Sequence, residues 1–300
     1  MQYHLNRLRS AQRLVLTVAI SALAALGLTV GTTKPALAEF EIQESGVEKG
    51  EVEVEYRGAV HSGFPKAERE EAEEDDDEEG ALDEEEEGEF VRQSHDLEIE
   101  YGITERWKFT AGISADEPLE DDFDLSSAEL GLQYELIERK GNGIGLAFLT
   151  EYGFATRGGE ADEIEFGPIV ELGSGGFLLT TNTFFTSQVG EHRETDGLGF
   201  EYGWRAQYGV AKKWGIGVEM FGEIEDLSNA GSFNDQQHSI GPTLFFGGDD
   251  DDDDDNGNGN GNHKVAGPAK AEFSMNVGVQ FGLTDLTSDT ALKFQGGLEF

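Results

Sequence analysis

The last ten residues of the chain, 291–300, alternate apolar and polar side chains with a period of two. Leu292, Phe294, Leu298 and Phe300 fall on one parity, which is typical of a β-strand with one apolar face. A chain that ends on such a strand would expose a row of unpaired N–H and C=O groups unless another strand pairs with it. We therefore expect the final strand to pair with the first strand and to close a barrel.

Segments with the same alternation recur along the chain. Apolar or aromatic residues occupy one parity, and Gly or polar residues the other, over about the 9 to 11 residues that a strand needs to cross a bilayer. The pattern predicts an all-β protein, an antiparallel transmembrane β-barrel of about twelve strands. The alternating residues of these strands span 52–56, 97–103, 107–113, 130–136, 144–154, 164–172, 177–189, 198–210, 214–224, 240–246, 273–283 and 292–300.

The connections between the strands support an even strand count. In a barrel whose wall begins and ends on the periplasmic side, short turns and long external loops should alternate along the chain. Short turns such as 104–106 and 211–213 do alternate with longer polar loops such as 116–127 and 226–237. The exception is 247–268, a long connection where a turn is expected. It indicates either an insertion that hangs into the periplasm or a strand count that is off by one, and the insertion is the simpler interpretation.

The two most acidic connections, 64–91 and 247–268, are predicted to be disordered insertions. Their low hydrophobicity and dense like charge cannot support a packed core. The regular spacing of a calcium-binding loop is missing, so a solvated, self-repelling loop is the favoured interpretation. Carboxylates at this density attract divalent cations, so loosely bound Ca²⁺ or Mg²⁺ is the alternative. We predict no defined metal site and no cofactor.

The first 38 residues are typical of a secretory signal peptide. Three arginines within the first 13 residues precede an apolar run, and a small-x-small cleavage sequence, Ala-Leu-Ala, stands at 36–38. A single membrane-anchoring helix is the alternative, because the apolar run is of borderline length. Cleavage is favoured, so we expect residues 39–300 to form the mature barrel in the outer membrane of a diderm bacterium. Its partners would be outer-membrane lipid and, through Leu292, Phe294, Leu298 and Phe300 as the assembly signal, the barrel-assembly machinery.

The composition excludes several classes of protein. The chain carries 62 acidic and 21 basic residues, for a formal net charge of −41, so we do not expect it to bind nucleic acid. It has no Cys, which removes disulfide frameworks and thiol chemistry. Hydrophobic residues make up 37% of the chain. That is sufficient for a transmembrane barrel, because only alternate residues of each strand meet lipid.

Catalysis is not indicated by the sequence. The six His do not pair with one another at metal-ligand spacing. The only His-Ser neighbours are at 61–62 and 238–239, and adjacent residues of a strand point to opposite faces, which argues against a catalytic dyad at either place. We predict that the protein is not an enzyme. A barrel that hydrolyses lipid is a third, unsupported alternative.

The residues on the inward parity are the candidate pore lining. They combine many Glu with a few basic residues, and the Gly between them leaves space. A lumen of this kind holds water and favours cations, whereas pairing between the Glu and the basic residues would fill the interior instead. Twelve strands lie between the packed and the open regimes, and the inward Gly favour a narrow pore. The candidates are Glu53, Glu55, Arg57, Glu98, Glu100, Lys108, Glu135, Glu201, Arg205, Glu219, Glu223 and Lys293.

One hairpin carries a family resemblance. The run Tyr101-Gly102-Ile103-Thr104-Glu105-Arg106-Trp107 is partly echoed at 208–214 and more faintly at 281–285. With the signal peptide and the terminal Phe300, this resembles the outer-membrane barrel family named for the MetA pathway of phenol degradation. The resemblance implies a transporter-like barrel without catalytic residues. The long acidic insertions depart from a compact member of that family.

The sequence thus leaves three functional classes in order of preference. Passive passage of small solutes, with a preference for cations, comes first. A structural or surface-interaction barrel with acidic, cation-attracting loops is the alternative, and a lipid hydrolase comes last. An open lumen lined by Gly would favour the first class, and a lumen blocked by ion pairs would favour the second.

Overall fold

The computed structural model describes residues 40–63, 91–118, 122–193, 195–247 and 271–300. The predicted signal peptide, residues 1–38, and almost all of the two predicted acidic insertions lie outside the described residues. Within the described part of the chain, no helix has both the length and the apolar character needed to cross a membrane.

Twelve strands make up the described fold. Each coincides with one of the alternating segments of the sequence, including the irregular one at 177–189. Two short 3-10 helices, Leu227–Asn229 and Phe233–Asp235, lie in one loop. The strands are β1 Val52–Ser62, β2 Val91–Gly102, β3 Trp107–Pro118, β4 Asp124–Ile137, β5 Ile144–Ala155, β6 Asp162–Ser174, β7 Phe177–Val189, β8 Gly199–Ala211, β9 Trp214–Ile224, β10 Gln237–Phe246, β11 Glu272–Gly282 and β12 Thr290–Glu299.

The strands form one closed antiparallel barrel in which each strand pairs with its neighbours in the chain. The seam that closes it joins β1 to β12 from Glu53 opposite Glu299 to Ser62 opposite Thr290. Phe300 extends the seam, since its N–H donates to the carbonyl oxygen of Val52 at 2.9 Å. The predicted antiparallel barrel of twelve strands, closed by the final strand, is therefore confirmed.

The two ends of the barrel differ in their connections. We call the end with the turns 103–106, 175–176 and 212–213 the turn end, and the end with the loops 156–161 and 283–289 the loop end. β1 begins and β12 ends at the turn end. Because Phe246, the last residue of β10, lies opposite the first residue of β9, the long acidic connection also leaves from the turn end. A strand count off by one is thereby excluded.

Side chains of the barrel wall alternate between an apolar outer face and a polar inner face. Along β12, Leu292 and Leu298 are exposed on the outside, whereas Lys293 and Gly297 are buried inside. Aromatic rings gather on the outside of the turn end, where Trp107 packs on Tyr134 with ring centroids 4.6 Å apart. An apolar band with aromatic residues at its margin is the surface that a barrel presents to lipid.

Candidate functional site in the barrel lumen

The lumen contains residues 40–50, which precede β1 and which we call the luminal segment. The segment contacts side chains that point inward from the wall. Glu41 forms an ion pair of 2.8 Å with Arg57 of β1. Two hydrogen bonds join Gln43 to Asn182 of β7. The backbone N–H of Gln43 donates to the side-chain oxygen of Asn182 at 2.7 Å, and the side-chain amide of Asn182 donates to the backbone carbonyl of Gln43 at 2.9 Å. The chain thus fills part of its own barrel.

Further contacts tie the segment to other strands. The side-chain amide of Gln133 on β4 donates to the carbonyl oxygens of Glu44, at 3.0 Å, and Ser45, at 3.3 Å. The Ser45 hydroxyl donates to Glu171 of β6. Glu44 accepts a hydrogen bond from Arg205 of β8. These buried polar contacts reach across the lumen, so the segment bridges opposite parts of the wall.

The segment runs along the barrel axis. At its start, the Phe40 ring packs edge-on against Phe221, with centroids 5.2 Å apart, and stacks on His61, the penultimate residue of β1, at the loop end. At its other end, the Gly50 N–H donates to the carbonyl oxygen of Gly102 at 2.7 Å, at the turn end. Eleven residues can cover about 35 Å when extended, so the segment spans most of the barrel's height.

Gly102 is the place where the segment and the wall come closest. A Cβ at this position would lie 1.8 Å from the carbonyl oxygen of Glu48, which is far inside van der Waals contact. Only glycine allows the segment to dock here. Gly102 belongs to the hairpin run that carries the family resemblance, and its contact with the segment is a physical reason for a glycine there.

The segment leaves little space beside it at this level of the barrel. Ser45 and Gln133 are both 0% exposed, and Ile42 is 6% exposed, with its Cγ1 atom over Gly203 of β8. Gly203 is one of the inward glycines from which the sequence predicts open space. In this structure that space is taken by the segment.

All twelve candidate pore-lining residues lie on the inner face of the wall. The structure brings most of them into small groups. Arg57 contacts Glu55 at 2.8 Å and Glu98 at 3.4 Å, and Lys108 contacts Glu100.

Other candidates face one another across neighbouring strands. Glu53 lies opposite Glu100 and Glu299, and Glu201 lies opposite Glu223. Glu135 stands apart at the turn end, where its N–H donates to the Arg106 carbonyl. Their role in lining a pore stays a prediction.

One part of the inner wall is balanced in charge, and we call it the paired network. It comprises Arg205, Lys293, Glu219 and Glu44. Glu219, fully buried, receives hydrogen bonds from Lys293 at 2.5 Å and from Thr243 at 2.7 Å, and Arg205 lies opposite it on β8. The two basic groups also lie over phenyl rings, Lys293 over Phe221 at 5.1 Å and Arg205 over Phe245 at 5.5 Å. Arg205, Lys293 and Glu219 are buried, and together with Glu44, which is largely exposed, they connect the wall to the segment.

Another part of the inner wall carries an excess of carboxyl groups, and we call it the acidic stripe. Glu151 lies directly opposite Glu165, and Glu129 points inward from the neighbouring strand β4. β4, β5, β6 and β7 contain no Lys or Arg. Directly opposed like charges destabilise a sheet, so this arrangement costs the barrel stability. Glu98, at the margin of the stripe, is contacted by Arg57 and is not counted in it. The stripe comprises Glu129, Glu151, Glu163, Glu165, Glu201 and Glu223.

Metal ligands and His–Ser contacts define two further kinds of candidate site. Within the described residues, no group of three or more His, Asp or Glu is placed to hold a metal ion. A contact between His61 Nδ1 and the Ser288 hydroxyl, 2.9 Å long, joins β1 to the loop before β12. The sequence could not indicate this contact, because the two residues are 227 positions apart. Ser288 is 4% exposed and out of reach of a substrate, so we assign the contact to holding the loop.

The luminal segment is the part of the site that sequence reasoning missed. Its residues continue the alternation of apolar and polar types weakly, with Phe40 and Ile42 separated by Glu41, and then lose it. The available signal was indirect: an inner wall with so many Gly and unmatched polar groups needs something to fill it.

A closed antiparallel barrel of twelve strands with an apolar outside and a charged inside has the architecture of barrels that cross membranes. No protein-family model and no curated protein sequence matches the chain.

Some solved structures match the chain at low similarity. An outer membrane channel from Pseudomonas putida F1 is 9% identical, with a TM-score of 0.48 over 88% of this chain and 98% of that one. The NanC porin is 7% identical, with a TM-score of 0.45 over 82% of this chain and 98% of that one. For OprD of Pseudomonas aeruginosa the TM-score is 0.36 at 10% identity, over 71% of this chain, which spans about three fifths (61%) of OprD. We draw nothing about function from likenesses this distant.

Proposed function

We propose that the protein is an outer-membrane barrel for the passive passage of small solutes, with a preference for cations. The observation that carries the proposal is the acidic stripe on an inner wall whose strands β4 to β7 hold no Lys or Arg. An excess of carboxylates over basic groups in a low-dielectric barrel makes the internal potential negative, which raises the local concentration of cations and repels anions. The acidic residues of the predicted insertion at 64–91 would add to this potential at the mouth.

Passage requires the luminal segment to move. The segment is held by polar contacts and ion pairs rather than by a large apolar surface, and its link to Gly102 is a single backbone hydrogen bond with a close carbonyl contact. Such contacts contribute about 0.5–1.5 kcal/mol each in net terms. We therefore expect a minor open state in equilibrium with the closed state, as in other gated sites.

The proposal is tested by electrical recording on the full chain in planar bilayers. The reversal potential under a KCl gradient should show that K⁺ passes more readily than Cl⁻, at low and at high ionic strength. Since the Debye length falls to about 3 Å at 1 M salt, the contribution of exposed loops should fade while that of the lumen persists. Anion preference under either condition would overturn the proposal.

Three variants sharpen this test. Glu151→Gln combined with Glu165→Gln should reduce the selectivity for K⁺, because both carboxylates belong to the stripe. Glu272→Gln, the loss of one carboxylate on the inner wall at the turn end, should leave the selectivity nearly unchanged. Gly102→Val should raise the open fraction, because the added side chain collides with the Glu48 carbonyl.

A structural or surface-interaction barrel is the second candidate, and the filled lumen favours it. Ser45 of the segment, Gln133 and the wall residues of the paired network are each at most 5% exposed. If neither the wild-type chain nor Gly102→Val conducts in a bilayer, this second candidate replaces the first.

A further inference from the structure

The inner wall carries an apolar cluster where a water-filled barrel is expected to be polar. Ala147 and Leu149 on β5, Ile169 on β6 and Phe184 on β7 all point inward and are between 0% and 7% exposed. Inward-facing positions of transmembrane barrels are usually polar, because the interior is wet or holds polar groups. Four adjoining apolar side chains therefore give this part of the inner face an apolar surface, which is covered in the closed state.

The apolar cluster and the acidic stripe share an edge. On β5, Leu149 and Glu151 are successive inward residues. On β6, only Gly167 separates Ile169 from Glu165 along the inner face. Across the next pair of strands, Phe184 lies directly opposite Glu201. The wall thus presents one surface with an apolar half and, toward the loop end, an anionic half.

A buried hydroxyl group next to this edge has no partner. Above Gly131, the space that a Cβ would occupy is bounded by Glu151 Oε2 at 2.9 Å and by Thr110 Cβ at 3.1 Å. Thr110 is 0% exposed, and among the described residues its hydroxyl makes no hydrogen bond. Buried polar groups are normally hydrogen-bonded, so this hydroxyl points to a donor or acceptor that a ligand would bring.

The chemistry of such a ligand follows from its neighbours. Glu165 faces Glu151 directly, and Glu129 lies on the neighbouring strand β4. A primary ammonium group has three donors and one positive charge. It could donate to two carboxylates and to the Thr110 hydroxyl while it relieves their repulsion. A cationic side chain of the protein already contacts a carboxylate on this wall, since the Arg57 guanidinium contacts Glu98.

We infer that the edge between the apolar cluster and the acidic stripe is a binding site for a small amphipathic organic cation, a primary ammonium joined to an apolar body. The ammonium binds at Glu151, Glu165 and Thr110, and the body covers Leu149, Ile169 and Phe184. This inference deepens the proposed function by naming the class of solute, and it rests on that function only in assuming that the ligand can reach the lumen.

The luminal segment occupies the neighbouring surface. Gln43 binds Asn182, and Asn182 lies directly opposite Ile169 in the wall. Segment and ligand therefore compete for the same face of the lumen. A variant that loosens the segment, such as Gly102→Val, should bind the cation more tightly than the wild-type chain does.

Equilibrium binding of radiolabelled hexylammonium to the full chain in lipid nanodiscs tests the site without requiring transport. Two comparison probes separate the two halves of the site: ethylammonium keeps the charge without the apolar body, and hexanoate keeps an apolar body with the opposite charge. We expect hexylammonium to bind at least about tenfold more tightly than either probe. The combined change Glu151→Gln and Glu165→Gln should abolish the preference over hexanoate, and Leu149→Asn should abolish the preference over ethylammonium.

Controls make the outcome decisive. Glu272→Gln should keep both preferences, and a heat-modifiability gel identifies any variant that fails to fold, in which case the milder Leu149→Ala replaces Leu149→Asn. Equal binding of hexylammonium and ethylammonium, or no binding in either the wild-type chain or Gly102→Val, overturns the site. A barrel that binds hexylammonium but never conducts loses the proposed function and keeps the site. A cation-selective barrel without the binding preference loses the site alone.

Discussion

The paired network and the acidic stripe lie on the same inner wall and differ in whether their carboxylates are balanced by basic side chains. In the paired network, Glu219 is fully buried and receives hydrogen bonds from Lys293 and Thr243, with Arg205 on the next strand. In the acidic stripe, Glu151 faces Glu165, and the strands on which they lie contain no basic residue. One region neutralises its charges locally, and the other concentrates charge of a single sign.

The difference separates a structural role from a functional one. A buried charge with its partner in place connects strands and, through Arg205 and Glu44, connects the wall to the luminal segment. An excess of one sign costs stability, because opposed carboxylates repel. Attraction of cations is the role that we propose for this excess.

The largest effect is expected from breaking the paired network. Lys293→Ala would leave the Glu219 carboxylate, which is 0% exposed, without its closest cation. An uncompensated buried charge costs about 3–5 kcal/mol of stability, so the variant should unfold at a clearly lower denaturant concentration in micelles or nanodiscs. The double variant Lys293→Ala with Glu219→Gln should regain part of this loss. Equal stability of the single and the double variant would contradict the role given to the pair.

A smaller effect is expected from releasing the segment from the wall. The chain has no Cys, so a single Gln43→Cys change reports on the lumen through its reaction with a small maleimide. Adding Gly102→Val should speed this reaction at least about tenfold, which corresponds to about 1.4 kcal/mol in the opening equilibrium. A Gly50→Ala change, at a place with open space for a Cβ but a φ of +86°, serves as a milder comparison. An unchanged rate in Gly102→Val would show that Glu48 does not hold the segment there.

Replacing a carboxylate of the acidic stripe should raise the stability of the barrel, whereas the same replacement in the paired network should lower it. Glu165→Gln removes one of two opposed charges, so it should stabilise the barrel by about 0.2–1 kcal/mol, measured as a higher unfolding midpoint. The matched change Glu219→Gln should destabilise it, because Lys293 then loses its partner. Destabilisation by both changes would remove the distinction between the two regions.

The smallest effect is expected at a position outside both regions. Phe300→Ala keeps the backbone bonds between Phe300 and Val52 and removes only a ring that is 45% exposed on the outer face. We expect a modest fall in the amount of heat-modifiable, folded barrel in the membrane. Deletion of 298–300 should cause a greater fall, since it also removes the backbone bonds that close the seam. Normal assembly of the truncated chain would argue against an assembly signal in the last strand.

The barrel wall could be predicted from the sequence because the residue pattern that forms a strand is local. Alternation with a period of two assigns each residue of a strand to one face, and lipid outside the barrel demands apolar side chains there. This is why Leu292 and Lys293 could be placed on opposite faces, and why the final strand, ending on Phe300, predicted a closed seam. The same alternation identified Glu98, Glu219 and the other inward residues as candidates.

The contents of the lumen were decided only by the tertiary structure. Gln43 and Asn182 are 139 residues apart, and Lys293 and Glu219 are 74 apart. Which inward residues meet depends on the register of every strand pair and on the closure of the barrel, and neither is encoded in a local pattern. The luminal segment has no strong alternation of its own, because its surroundings are polar on most sides. It acquires a defined path only from the wall that encloses it.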